Sequence, residues 1–353
     1  MNIRFVEAFY INESENELII HSPDDISNYQ VYWTYDQHIH TLNKTFLFES
    51  NQKQVKFNFQ YPRDRRVYFI IHFDNGPTLI FGHRILPIDG LYNCRDIGGY
   101  LTEDGKRIKW GVGYRSDYLY YLKDSSLEYM KNLGVQTIID FRSQKEVEDS
   151  PNRHIGEKQS YICDPNAHIA EAAGVLQSGH TKESHVAMSE EMKQKIISGK
   201  LTGDQKMIDQ QLRFATEKTS QEAYRHTLQI LAKAENNPSL QHCRGGKDRT
   251  GFGLMLLEGI LGVSKEDMLY DYLLTAKARK EKNKLYYQRF LEESQNEIVA
   301  QYMYSLFDAR ESYILASMNK ILEEYSSIQD YAQKVLGITD DEIEQLKAIF
   351  LES

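Results

Sequence analysis

Nine consecutive residues, His242-Cys243-Arg244-Gly245-Gly246-Lys247-Asp248-Arg249-Thr250, carry the densest chemistry in this 353-residue chain. Cys243 and Arg249 enclose five residues, two of them glycines, and an apolar run containing Gly251 and Gly253 follows Thr250. A loop closed tightly between the Cys and the Arg can turn successive backbone N–H groups inward onto an anion. A helix opening near Thr250 adds the positive end of its dipole at the same point. Such a setting favours thiolate over thiol, and the thiolate is the nucleophile. The planar fork of Arg249 can grip two phosphate oxygens, in the ground state and as charge shifts in the transition state. The predicted chemistry is attack by Cys243 sulfur on a phosphate monoester. Arg249 and the loop from Arg244 through Gly245, Gly246 and Lys247 hold the oxygens, and the hydroxyl of Thr250, or a neighbouring one, stabilises the sulfur when it leaves.

Two rival readings of the same residues are weaker. A nucleotide-binding glycine loop needs Gly, four residues, then Gly-Lys-Ser/Thr. Here Asp248 follows Gly246-Lys247 and position 241 is Gln, so that pattern fails. A core cysteine packed under a glycine turn would explain Cys243 alone, but not the Arg, Thr and His around it.

Elements must present this loop, and the chain changes character along its length. Short β-branched and aromatic runs recur at 3–10, 18–21, 31–35, 44–48, 55–59, 67–73 and 78–85. Val55, Phe57 and Phe59 alternate with polar residues, as in a strand with one buried face, and Asp74-Asn75-Gly76 marks a turn between two runs. Seven short strands predict a β-sandwich of immunoglobulin or fibronectin-III type over 1–86. Beyond Leu86-Pro87 the pattern becomes α/β, giving a second domain over 87–353. Residues 135–140 and 161–163 read as strands. Thr219-x-x-Glu222 reads as a capping box opening a helix with Ala223, Ile230, Leu231 and Ala234 on its buried face. Residues 240–242 form a very short strand into the loop, so the site belongs at strand C-termini. Two weak helical patterns, 184–197 and 205–216, lie inside the polar stretch 164–218. The C-terminal third is helical, with Ser264-x-x-Asp267 and Thr339-x-x-Glu342 as caps and Ile314, Leu315, Met318, Ile321 and Leu322 as a stripe.

The loop resembles the signature of the protein tyrosine phosphatase superfamily. Lys247-Asp248 narrows the likeness to a bacterial and fungal branch, with mycobacterial and listerial members, whose loop reads His-Cys-x-x-Gly-Lys-Asp-Arg-Thr-Gly. Three upstream segments agree: Asn93-Cys94-Arg95-Asp96-Ile97-Gly98-Gly99, Tyr114-Arg115-Ser116, and Asp140-Phe141-Arg142-Ser143 with Glu146. Cys94 stands where Phe is usual. The resemblance implies a cysteine-phosphatase-like sheet flanked by helices and a cysteinyl-phosphate intermediate. It also implies Asp248 as the proton donor in preference to Asp164, and a helical lid in 164–218. It implies phosphotyrosine as substrate, with phosphoserine, phosphothreonine or phosphoinositide activity open through Arg244 and Lys247. A phosphatase of inositol phosphates or other small metabolites is a second reading, and a phosphate-binding adaptor a third.

Composition sets the outer bounds. A formal charge of −9 argues against non-specific attraction to nucleic acid or anionic membranes. No charged-then-apolar leader opens the chain and no apolar run reaches spanning length, which predicts a cytoplasmic protein, with leaderless export left open. Cys94, Cys163 and Cys243 are widely spaced and form neither a disulfide framework nor a zinc pattern. No metal or other cofactor is called for.

Overall fold

The computed structural model describes residues 2–60, 62–167 and 189–352. Each of the seven runs expected near the N-terminus overlaps a strand: β1 (Phe5–Tyr10), β2 (Glu15–His21), β3 (Tyr29–Thr34), β4 (Thr45–Ser50), β5 (Gln54–Asn58), β6 (Tyr68–Phe73) and β7 (Thr78–Gly82). They form two antiparallel sheets, ordered β1-β2-β5 and β4-β3-β6-β7. Alternating Leu18 and Ile20 on β2 and Phe57 on β5 are buried, and Phe57 meets Phe48 and Phe69 of the other sheet at ring-centre distances of 5.1 and 5.6 Å. The apolar contact between facing sheets is what makes a sandwich.

A five-stranded sheet follows, ordered β11-β10-β12-β9-β8. Its members are β8 (Arg95–Asp96), β9 (Gly113–Ser116), β10 (Thr137–Asp140), β11 (Gln159–Ile162) and β12 (Ser239–His242). Only the β8–β9 pairing is antiparallel. Strands β9, β10 and β12 are buried along their whole length, as expected of parallel strands covered on both faces. The helices are α1 (Leu127–Asn132), α2 (Gln144–Asp149), α3 (Glu190–Ile197), α4 (Gly203–Thr216), α5 (Lys218–Leu231), α6 (Asp248–Ile260), α7 (Lys265–Ala278), α8 (Lys280–Ser294), α9 (Glu297–Ser305), α10 (Glu311–Glu324), α11 (Ile328–Lys334) and α12 (Asp340–Phe350). The architecture is a central sheet flanked by helices and preceded by a β-rich region. The sandwich core does not stop at Leu86: one buried apolar cluster runs from Val31 and Phe69 through Ile88 and Trp110 to Ile138 and Leu240 of the central sheet.

Several local expectations need correction. Thr219 caps no helix; α5 begins at Lys218 after Glu217, with no side-chain cap, because α4 ends only one residue earlier. On α5, Ile230 and Leu231 are buried as expected, together with Tyr224 and Leu228, while Ala234 is exposed. Ser264 and Thr339 do cap their helices, Thr339 in a full capping box with Glu342. Within 164–218, residues 168–188 lie outside the described residues, including the start of the helix expected over 184–197. The rest forms α3 and α4, which pack against α9 and α10.

Candidate active site

Strand register builds the site floor. Asp140, His242 and Ser116 stand side by side at the C-terminal ends of β10, β12 and β9. The chain leaves β12 at Cys243 and re-enters regular structure at Asp248, the first residue of α6. His242 is fully buried, with Nδ1 3.2 Å from the Cys243 carbonyl oxygen and Nε2 3.0 Å from Asn152 Nδ2. A carbonyl accepts and an amide nitrogen donates, so the network assigns a neutral ring protonated on Nδ1. Burial also lowers the His242 pKa, with Asp140 opposing. His242 thus braces the loop backbone, and both its ring nitrogens are occupied.

The loop carbonyls all have donors outside the loop. Cys243 O receives His242; Arg244 O receives the Tyr118 amide at 3.4 Å. Gly245 O receives Asn93 Nδ2 and Arg279 Nη1, each at 3.1 Å, and Gly246 O receives Asn93 Nδ2 at 2.9 Å and Arg115 Nη2 at 2.7 Å. In a trans peptide the next N–H points opposite to the carbonyl. Pulling four carbonyls outward therefore turns the N–H groups of Arg244 to Lys247 the other way, and these donate to none of the described residues. The glycines make this possible. Gly246 has φ of 61°, and a Cβ there would lie 2.4 Å from the Ser116 carbonyl oxygen; one on Gly245 would lie 2.2 Å from Arg279 Nη1.

Arg249, on the first turn of α6, is buried and held in bidentate fashion by Glu146, with Nη1–Oε2 at 2.6 Å and Nη2–Oε1 at 3.1 Å. Glu146 is fixed in turn by the capping box it forms with Ser143 at the start of α2. Burial alone would raise the Glu146 carboxyl, but the Arg249 guanidinium holds it below the ordinary value. Burial works against the Arg249 charge as well. Glu146, then Cys243 and Asp164, outweigh it and keep the guanidinium pKa above its ordinary value. Arg249 Nε, Arg244 Nε and Thr250 Oγ1 are buried and have no hydrogen-bond partner among the described residues. Arg244 lies over the Tyr118 ring, 5.2 Å from its centre.

Asp248 is buried at the head of α6, where Tyr272 donates to Oδ1 at 3.1 Å and Lys247 Nζ lies 3.4 Å from Oδ2. It does not act as the helix cap; that position is Lys247. Asp164 follows β11 and accepts the Asn166 amide at 2.8 Å. Lys247 is placed differently from expectation. Its ammonium reaches away from the loop to the carbonyls of Leu306 and Asp308, at 2.8 and 2.7 Å. Burial pushes the other two cysteine thiols up, Cys94 to about 12 and Cys163 to about 11.

Sequence reasoning passed over three residues. Asn152 holds His242, Tyr272 holds Asp248, and Arg279 braces Gly245 with Nε and Nη2 still unpaired among the described residues. None lies in a run of suggestive spacing. The close packing of α6 was partly legible: a Cβ on Gly251 would lie 2.8 Å from the Tyr272 ring, and one on Gly253 2.9 Å from Phe141.

Comparison with known proteins bears on the same stretch. The tyrosine phosphatase family profile matches residues 86–352. A Cupriavidus necator protein named as a tyrosine-protein phosphatase is 29% identical over 273 residues, covering 76% of this chain and 89% of the relative. The triple specificity protein phosphatase PtpB of Mycobacterium tuberculosis is 25% identical over 280 residues, 75% of this chain and 98% of the relative. Among the described residues no helix is long and apolar enough to cross a membrane. A match over most of the chain leads to one conclusion: the chain belongs to the tyrosine phosphatase family and is a phosphatase that acts on phosphorylated substrates.

Proposed function

We propose that the chain hydrolyses phosphomonoesters of tyrosine through a cysteinyl-phosphate on Cys243. The observation that carries this reading is the ring of outward-bonded carbonyls from Cys243 to Gly246, which leaves the amides of the following residues to receive an anion. The Cys243 sulfur forms a bond to phosphorus as the ester P–O bond breaks. The departing oxygen takes a proton from Asp248. In the second step Asp248 receives a proton from water, the water oxygen bonds to phosphorus, and the sulfur leaves beside Thr250. Arg249 and the loop amides hold the equatorial oxygens throughout. An adaptor reading loses its ground with family membership.

Asp248 and Asp164 are told apart by single substitutions. Asp248→Asn is expected to lower kcat about 100-fold or more, with one limb missing from the pH–rate profile, whereas Asp164→Asn keeps both limbs. The reverse pattern in steady-state kinetics would transfer the proton role to Asp164.

A second reading, phosphoinositides or inositol polyphosphates, draws on a cationic group beside the loop. Arg279 is buried with two nitrogens unpaired among the described residues, and Arg244 has one. Lys282 sits 4.4 Å above the Tyr92 ring, its pKa lowered to about 8 by burial and by Arg279 and Arg244, with Asp117 opposing. Cations short of counter-charge suit a substrate with a second anionic group. Lys282 is charged below about pH 8 and neutral above. The KM for an inositol polyphosphate is therefore expected to rise between pH 7 and 9, relative to that for p-nitrophenyl phosphate, and the difference to vanish in Lys282→Met.

A further inference from the structure

Helix α7 reaches the groups that hold the Gly245 and Gly246 carbonyls, and Asp248 itself. Asp271 pairs with Arg95 at 3.0 Å and with Arg115, the donor to Gly246 O. Tyr272 donates to Asp248 at 3.1 Å. The Thr275 hydroxyl lies 3.4 Å from Asn93 Nδ2 and 3.2 Å from Arg95 Nη2, and Arg279 just past the helix end donates to Gly245 O. Helical spacing puts 271, 272, 275 and 279 on one side of the rod.

Asp267, one turn before Asp271, and Tyr270 and Lys277 on the adjoining face lean on the N-terminal sandwich. Arg4 pairs with Asp267, and the Tyr270 hydroxyl donates to Glu7. Phe5 and His21 pack on the Tyr270 ring at 5.3 and 5.1 Å, and the Lys277 ammonium sits 3.5 Å from the Phe9 ring centre. Residues 4 to 9 of the β1 segment thus run along α7 from its first turn to its last. Glu7 is fully buried, and Arg84 Nε donates to it at 2.8 Å. Arg84 Nη1 donates to the carbonyls of Asp96 and Gly98, at 2.9 and 2.7 Å, in the segment that also supplies Asn93 and Arg95. A carboxylate from the sandwich therefore anchors both α7 and the Asn93–Gly98 stretch. The family profile begins at residue 86, so these contacts come from outside the part of the chain shared with the family.

We propose that the sandwich is part of the catalytic apparatus: β1 clamps α7, and α7 sets the position of the phosphate loop and of Asp248. Arg4, Glu7 and Phe9 are then positioning residues for phosphoryl transfer, acting from the far end of the chain on a loop that begins at Cys243. A buried charge pair of this kind fixes geometry more than it adds stability. The inference rests on the role given to the Cys243 loop, and its test separates the two.

The experiment compares the full-length protein with Glu7→Gln, Lys277→Ala, Arg4→Ala and the conservative Arg4→Lys. Glu7→Gln is expected to lower kcat on p-nitrophenyl phosphate about 10- to 100-fold, because small misplacements of reacting groups carry losses of that size. Its KM is expected to change less than about twofold, and its affinity for vanadate, measured by calorimetry, to fall in step with kcat/KM. Lys277→Ala and Arg4→Ala, at the exposed ends of the seam, give smaller losses, and Arg4→Lys recovers wild-type turnover. These end variants decide the matter if Glu7→Gln does not fold. Folded variants with wild-type kcat and vanadate affinity overturn the inference while leaving the phosphatase reading intact. If the wild type turned over nothing, the function reading would fail and vanadate affinity alone would decide this one.

Discussion

Cys243→Ser is expected to lose turnover of p-nitrophenyl phosphate by on the order of 10,000-fold or more while still binding inorganic phosphate. Sulfur and oxygen differ here in what they need from their surroundings. A serine hydroxyl must give up its proton to a base as it attacks, and His242 is the nearest imidazole along the chain. Both its ring nitrogens are committed, Nδ1 to the Cys243 carbonyl and Nε2 to Asn152. Burial lowers its pKa, with Asp140 opposing, and the two hydrogen bonds leave no free lone pair facing the loop. The anion cradle proposed above, by contrast, is made of backbone. Its shape depends on Asn93, Arg115, Arg279 and Tyr118 holding the carbonyls, and none of these contacts involves the Cys243 side chain. Steady-state kinetics with a phosphate titration by calorimetry separates the two properties. A serine variant within tenfold of wild type would rule out the cysteinyl-phosphate route. A variant that lost both turnover and phosphate binding would point instead to collapse of the loop.

How much of this was legible before the structure depends on how locally each feature is encoded. The N-terminal strands were readable as short β-branched and aromatic runs, and in β5 the alternation also records the buried face, at Phe57. The Cys243–Arg249 loop was readable for the same reason: its donors, glycines and helix start are contiguous. Thr219-x-x-Glu222 had the right residues for a capping box but the wrong context, since α4 delivers the chain at Glu217 and the helix starts before Thr219 can cap it. The direction of the Lys247 side chain was not encoded locally at all; it follows from where the carbonyls of Leu306 and Asp308 lie. Asn152, Tyr272 and Arg279 escaped attention because each reaches the site through tertiary packing from a distant helix or loop. Glu146 lay between these cases. Its motif was visible, and its capping box with Ser143 follows from local spacing, but its grip on Arg249 required the packing of α2 against α6.

That grip makes Arg249→Lys the more informative companion to the nucleophile change, with an expected loss in kcat/KM of about 1,000-fold. Lysine keeps the charge but has no planar fork, so it cannot satisfy Glu146 with two parallel bonds and hold two phosphate oxygens in a fixed plane. If charge alone mattered, Arg249→Lys would be mild; if geometry matters, it approaches Arg249→Met. Glu146→Gln isolates the other half. It leaves the guanidinium in place with a neutral partner, and Gln retains an oxygen for the Ser143 amide. Its effect on turnover is expected to be smaller than that of Arg249→Lys, but its effect on acid stability distinctive. The Glu146 pKa in the folded protein lies below its unfolded value of about 4.3. The pair therefore contributes stability that is fully present above that unfolded value and disappears as pH falls through the lower folded one. Glu146→Gln should destabilise the protein at pH 7 and narrow the gap to wild type as the pH falls below about 4. Removing the partner altogether, in Glu146→Ala, strands Arg249 in a buried site and is expected to cost about 3 to 5 kcal/mol at neutral pH. Chemical denaturation at pH 7 and pH 3.5, run beside the kinetics, shows whether Glu146 orients the arginine or only shelters it: an unchanged gap between wild type and Glu146→Gln at the two pH values would mean that no ionised pair forms.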